Sequence, residues 1–202
     1  AADYTVPAPL NVTFSQGDLS RTVAVQTTQD AAVEGDEQLT LSITGASPFG
    51  GLTGATAATG TIIDDDKPIY SIAADQVTIG EAGGTVTFTV SRDRVDPVGN
   101  ADVTVQLGGT GVLNTDYAVA GGTLNVGLQA VTLTFPASSA AAQTFTVTAS
   151  EDTILELVEA VSGSITAIVG GAGGQIGTAT ASVDIVDNET ATYSVAPNAG
   201  TV

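Results

Sequence analysis

The sequence predicts an all-β chain built from tandem antiparallel β-sandwiches. Apolar residues alternate with Thr and other polar residues in short runs, and Gly, Asp and Asn interrupt those runs. The same landmarks also recur in the same order in two copies along the 202 residues. Period-two alternation marks strands with one buried face, and many short strands between turn residues mark a sandwich.

The strands can be taken in chain order. Leu10, Val12 and Phe14 alternate, as do Val23 with Val25, and Leu39, Leu41 and Ile43. Further on, Val86, Phe88 and Val90 share one face, then Val103, Val105 and Leu107, then Val131, Leu133 and Phe135, then Phe145 and Val147. Thr and Val favour such a pleated, half-buried surface. No segment shows sustained helical periodicity. The run Gly170-Gly171-Ala172-Gly173-Gly174 reads as a flexible hairpin tip between two strands. It lacks the Lys-Ser/Thr of a phosphate loop and the Asp of a glycine-rich calcium nonapeptide.

The repeat shows at three places. Ile62-Ile63-Asp64-Asp65-Asp66 and Tyr70-Ser71-Ile72-Ala73 match Ile185-Val186-Asp187-Asn188-Glu189 and Tyr193-Ser194-Val195-Ala196 at an offset of 123. Asp30, Glu34 and Glu37 match Asp152, Glu156 and Glu159 at 122, and Asp3-Tyr4 matches Asp116-Tyr117 at 113. The shorter offset places about ten extra residues in the second copy. The expected organisation is therefore the C-terminal part of one repeat at 1–68, a complete repeat at 69–190, and the first strand of a further repeat at 191–202. The recurring tyrosines read as packing or corner residues.

Composition narrows function. Cys, His, Met and Trp are absent, which removes disulfides, Cys/His zinc sites and the usual Ser–His or Cys–His nucleophile pairs. There are 22 acidic and 4 basic residues, for a net charge of -18. Phosphate recognition needs Lys and Arg, so no nucleic-acid partner is expected. No signal peptide and no apolar run long enough for a bilayer span is present, so no direct membrane insertion is expected. The sequence reads as a piece of a longer secreted or cell-surface protein.

The acids are not scattered. Sixteen of the 22 fall at the repeat landmarks, and the strands between are almost free of carboxylates. These landmarks lie at strand ends, where a sandwich gathers its loops. Two like charges about 4 Å apart cost roughly 1 kcal/mol even in water, so such crowding asks for a counter-charge. Arg21, Lys67, Arg92 and Arg94 are too few to supply it. A divalent cation can. Calcium accepts six to eight oxygens in irregular geometry, whereas magnesium prefers a stricter octahedron. The plainer reading is a solvated acidic loop surface, which a single run such as Asp64-Asp65-Asp66 would not exclude.

The pattern Asp30-x-x-x-Glu34-Gly35-Asp36-Glu37-x-Leu39-x-Leu41, followed by Gly60-Thr61-Ile62-Ile63-Asp64-Asp65-Asp66, resembles the Calx-β domain. Gly80-Glu81-Ala82-Gly83-Gly84 and Thr115-Asp116-Tyr117 fit its earlier motifs. The resemblance implies seven-stranded, immunoglobulin-like sandwiches with Ca2+ bound at one pole. It implies the ligands Glu81, Asp116, Glu151, Asp152, Glu156, Glu159, Asp187 and Glu189 in the complete repeat. In the first copy it implies Asp3, Asp30, Glu34, Glu37, Asp64, Asp65 and Asp66. The first copy has no counterpart of Glu81. Gln29 stands at the place of Glu151, and Asn188 at the place of Asp65. Each amide is expected to lower affinity or ion count.

The expected function is a calcium-binding structural or adhesive repeat segment of a large extracellular protein, with no enzymatic activity. Calcium would rigidify the joints, because Lys67-Pro68-Ile69 is too short to separate two repeats freely. The expected partners are neighbouring repeats of the same protein, with strand-sharing self-assembly as an extension of that idea. The alternatives are a ligand-binding module for a glycan or protein, and a metal-free spacer attached to an enzyme. Aromatic residues at 4% and the absence of Trp count against a sugar-stacking surface.

Overall fold

The computed structural model describes residues 3–5, 10–47 and 50–196. It divides into two compact units, Ala1–Asp66 and Lys67–Val202. Every regular element among the described residues is a strand or a turn. No helix of the described residues is long and apolar enough to cross a membrane, which says nothing of a β-barrel.

The first unit contains β1 (Tyr4–Thr5), β2 (Gln26–Thr27), β3 (Glu37–Ser42) and β4 (Ala57–Ile62). β1 pairs antiparallel with β2, and β3 with β4. Val33 is its buried apolar residue among those described. The expected strands at 10–14 and 23–25 do not form: these residues carry no ladder, and Leu10, Val12 and Phe14 are exposed. A strand needs a partner for its backbone groups. In the second unit the counterpart of 10–14 pairs with residues 101–106 and that of 23–25 with residues 85–90, stretches with no counterpart in the first copy.

The second unit contains β5 (Ile69–Ala74), β6 (Thr78–Gly80), β7 (Thr85–Arg92), β8 (Ala101–Gly109), β9 (Tyr117–Ala120), β10 (Thr123–Asn125), β11 (Ala130–Phe135), β12 (Gln143–Ala149), β13 (Glu159–Gly170), β14 (Gln175–Ile176) and β15 (Thr180–Val186). One sheet has the order β10-β11-β8-β13-β15-β6 and the other β14-β5-β7-β12-β9. The alternation read from the sequence becomes the inner faces of these sheets. Val86, Phe88 and Val90 of β7, Val103, Val105 and Leu107 of β8, Val131, Leu133 and Phe135 of β11, and Phe145 and Val147 of β12 are all buried. Phe88 stacks on its cross-strand partner Phe145, with centroids 4.9 Å apart. Tyr70 meets Phe135 edge-on at 5.2 Å and links the two sheets. Of the recurring tyrosines expected to pack or form corners, Tyr70 and Tyr117 are packed inside, whereas Tyr4 is half-buried and Tyr193 is exposed.

The glycine run is not a hairpin tip. It carries the chain from β13 in one sheet to β14 in the other, and β14 then pairs parallel with β5. Asp96, which the repeat pattern passes over, pins this crossover. Its fully buried carboxylate accepts bonds from Val98 N and Ala172 N, both at 2.9 Å. Gly171 has φ +55°, and a Cβ there would sit 2.1 Å from Asp96 Oδ2, so only glycine fits. Beyond β15, residues 191–196 form no strand, and Tyr193 and Val195 are exposed. Positions 197–202 of the expected opening strand lie outside the described residues.

Candidate metal centre

Strand register brings the expected ligand acids of the second unit to one end of the sandwich. β6 runs parallel to β15 with Gly80 beside Val186, so the next residues along, Glu81 and Asp187, fall side by side. Glu81 N donates to Val186 O at 3.0 Å and closes that pairing. Glu159 opens β13 opposite Ile185, close to the same end of β15. Asp116 precedes β9, whose Tyr117 pairs with Ala149 of β12, and Ser150 N donates to Asp116 O at 2.8 Å. Glu151, Asp152 and Glu156 then lie on the connection between β12 and β13.

Within this end, oxygens of Glu81, Asp152 and Glu156 lie within 4.8 Å of one another. The same holds for Glu81, Asp187 and Glu189, and for Asp116, Glu156 and Glu159. Glu81 belongs to two of the groups and is only 5% exposed. Glu81, Asp116, Glu156, Glu159 and Asp187, with Leu157 and Ile185, surround a gap of about 10 Å³. That is close to the room one water-sized sphere needs.

The electrostatics show the strain of this crowding. Burial raises the Glu81 pKa, helped by its bond to Asp187 and by the charges around it. Burial likewise raises Glu156, with Asp152 next in effect, and Glu159, with Asp116 next. Glu189 is pushed up to about 7, first by sharing a proton with Asp187 and then by burial. Asp187 is held at about 2, first by that bond to Glu189 and then by the Glu189 and Glu156 backbone N–H groups. Those N–H groups donate to its two oxygens at 3.1 and 2.9 Å. The Oε2 oxygen of Glu189 is buried with no hydrogen-bond donor facing it. A buried acceptor of this kind is costly unless something binds it.

The first unit repeats the arrangement with its own residues. Asp64 accepts from Glu34 N and Asp66 N, both at 3.0 Å, as Asp187 does from Glu156 N and Glu189 N. Asp30 accepts from Ala32 N at 2.9 Å as Asp152 accepts from Ile154 N at 2.6 Å. Thr28 N donates to Asp3 O at 2.8 Å, matching Ser150 and Asp116. Asp3, Asp30 and Glu34 form one close group and Asp64, Asp65 and Asp66 another. Glu37 bonds Asp3, which raises the Glu37 pKa and lowers that of Asp3. These acids line a cleft of about 300 Å³, far roomier than the gap in the second unit.

Of the sequence-derived ligand set, the close groups contain every residue except Glu37 and Glu151. Glu37 is held by Asp3, and Glu151 accepts from the Asn188 amide at 3.2 and 3.1 Å. The residues fit a hard divalent cation. They offer oxygen donors only, at mutual spacings that one ion can span, with an orphaned buried acceptor among them. The sequence reading missed the stretch Ile154, Leu155, Leu157 and Val158, which threads between the acids and stays exposed.

A family model described as the Calx-beta domain matches residues 1–66 and again residues 63–189. No curated protein matches the sequence. Among solved structures, the chain is similar to the apo form of the Calx CBD1 domain, at 22% identity and a TM-score of 0.44, covering 58% of this chain and 98% of that one. It is similar to CBD12 from CALX1.2 at 20% identity and 0.45, covering 59% of this chain and 45% of that one. It is also similar to the Calx CBD2 domain at 14% identity and 0.43, covering 59% and 86%.

Proposed function

The chain belongs to the Calx-beta domain family, and from that premise we propose that it is a calcium-binding structural segment of a tandem-repeat protein. The single observation that carries this reading is the shared carboxylate Glu81. It is buried, it belongs to two groups of close acids, and its environment disfavours its own charge. A cation reverses that penalty, because it turns repulsion among the acids into shared coordination. Here Glu81, Asp116, Asp152, Glu156, Glu159, Asp187 and Glu189 would hold the ion in the second unit, and Asp3, Asp30, Glu34 and Asp64–Asp66 in the first. The ion supplies positive charge only; positioning comes from the backbone N–H groups that fix Asp64 and Asp187.

Calcium then acts as a stiffener. The acidic run of the first unit ends at Asp66, and Lys67-Pro68 follows at once. An ion held at Asp64–Asp66 orders the residues directly before the next repeat. This reading makes neighbouring repeats the partners, an extracellular protein the setting, and mechanical continuity the role, with no catalytic step. A second reading, a protein-binding module, draws on the exposed Ile154, Leu155, Leu157 and Val158 beside the acids.

The test is thermal unfolding of the 202-residue chain with calcium and with excess chelator. A ligand that binds only the folded state at a hundred times its Kd stabilises it by about 2.7 kcal/mol. The melting temperature of the second unit should rise with calcium, and the rise should vanish in Glu156→Ala and Asp187→Ala. Equal melting with and without calcium would leave only a solvated acidic surface.

A further inference from the structure

The two amides in the ligand set are not independent losses. In the first unit Gln29 Nε2 donates to Asp65 Oδ1 at 3.0 Å. In the second unit Asn188 Nδ2 donates to Glu151 Oε2 at 3.1 Å and Oε1 at 3.2 Å. Gln29 matches Glu151, and Asp65 matches Asn188. The same two positions are therefore bonded in both units, with the amide and the carboxylate exchanged. Each pair keeps one negative charge, and each ties the connection after one strand to the middle of the acidic run. Two carboxylates there would repel, while two amides would remove a charge from the site. An amide donating to a carboxylate avoids both outcomes, with a charge-assisted bond.

We propose that positions 29 with 65 and 151 with 188 form a reciprocal amide–carboxylate latch that positions the acidic run and sets the charge the site offers to calcium. The consequence for calcium rests on the reading given above, whereas the latch itself does not. Gln29, Glu151 and Asn188 are positioning residues, while Asp65 both takes part in the latch and belongs to the ligand group of the first unit; the charge of the pair matters more than which member bears it. The two latches thus present equal charge, despite their different sequences.

A double-mutant cycle tests this in the 202-residue chain, with Glu151→Gln, Asn188→Asp and the double swap. Tyrosine fluorescence of a Tyr4→Phe background follows the second unit, because Tyr70 and Tyr117 are buried there, Tyr193 is exposed and Tyr4 is the tyrosine of the first unit. In chelator, Asn188→Asp should lower the melting temperature of the otherwise unaltered chain. In the Glu151→Gln background it should raise it, because the swap recreates the pair seen at Gln29 and Asp65. Glu151→Gln should weaken calcium binding about tenfold, and the double swap should restore it to within about threefold. An equal shift from Asn188→Asp in both backgrounds overturns the latch. A sign reversal that persists in chelator while calcium leaves melting unchanged upholds the latch and removes the calcium reading.

Discussion

Replacing Glu81 by Gln removes one negative charge from a nearly closed site while keeping its shape and its capacity to bond Asp187. Carboxylates of four residues, Asp152, Glu156, Asp187 and Glu189, share close groups with Glu81, within 4.8 Å. At that separation a pair of like charges costs roughly 1 kcal/mol even when screened as in bulk water. The Glu189 proton, retained up to about pH 7, reduces the sum. Relief of about 2 kcal/mol is therefore expected in the absence of calcium. For a unit of this size that corresponds to a rise in melting temperature of about 8 °C. In saturating calcium the sign reverses, because the amide at this position would contribute no charge to the ion. The assay is circular dichroism melting of the unaltered and Glu81→Gln chains at neutral pH, in chelator and in excess calcium. A Glu81→Gln chain that melts lower in chelator would refute the reasoning, since the carboxylate would then be stabilising without metal. An unchanged calcium response would refute it equally.

Three further outcomes follow. Without calcium, melting temperature should fall as pH rises from about 5 to 8. The folded-state pKa of Glu189 lies above its ordinary value, so its bound proton stabilises the fold below that ordinary value and this contribution is lost as pH passes about 7; calcium should flatten the profile, and a stability that rises over this range would contradict the shifts. Phe145→Ala should cost about 3–5 kcal/mol in urea unfolding, because the ring is 1% exposed and stacked on Phe88; a loss below about 1 kcal/mol would mean the sheets do not close over it. Asp96→Ala should cost about 3 kcal/mol by stranding the Val98 and Ala172 N–H groups, and should expose the glycine crossover to protease; unchanged cleavage would show that the carboxylate does not pin it.

The sandwich of the second unit was legible because its strands are half-buried. Val86, Phe88 and Val90 announce a buried face through period two alone, and the structure buries all three. The same alternation at Leu10, Val12 and Phe14 produced no strand, because alternation records a face and not a partner. The glycine run was misread for a related reason. Local composition marks a change of direction, but whether the chain returns beside its own strand or crosses to the other sheet depends on distant pairing. Asp96 was invisible because its role comes from Ala172, far along the chain. The acidic groups were legible because repetition in register singled them out. The reciprocal exchange of Gln29 and Asp65 with Glu151 and Asn188 was not, since only side-chain contacts show that two substitutions compensate.

The most direct measurement is the amount of calcium bound at equilibrium, by dialysis of the metal-free 202-residue chain against radioactive calcium over a range of concentrations. Saturable binding, competed weakly by magnesium and reduced in number of ions when Glu81, Glu156 and Asp187 are neutralised, is what the coordination groups predict. A linear, unsaturable uptake that falls away with added monovalent salt would contradict them, because that is the behaviour of a diffuse counter-ion cloud around a chain of net charge -18.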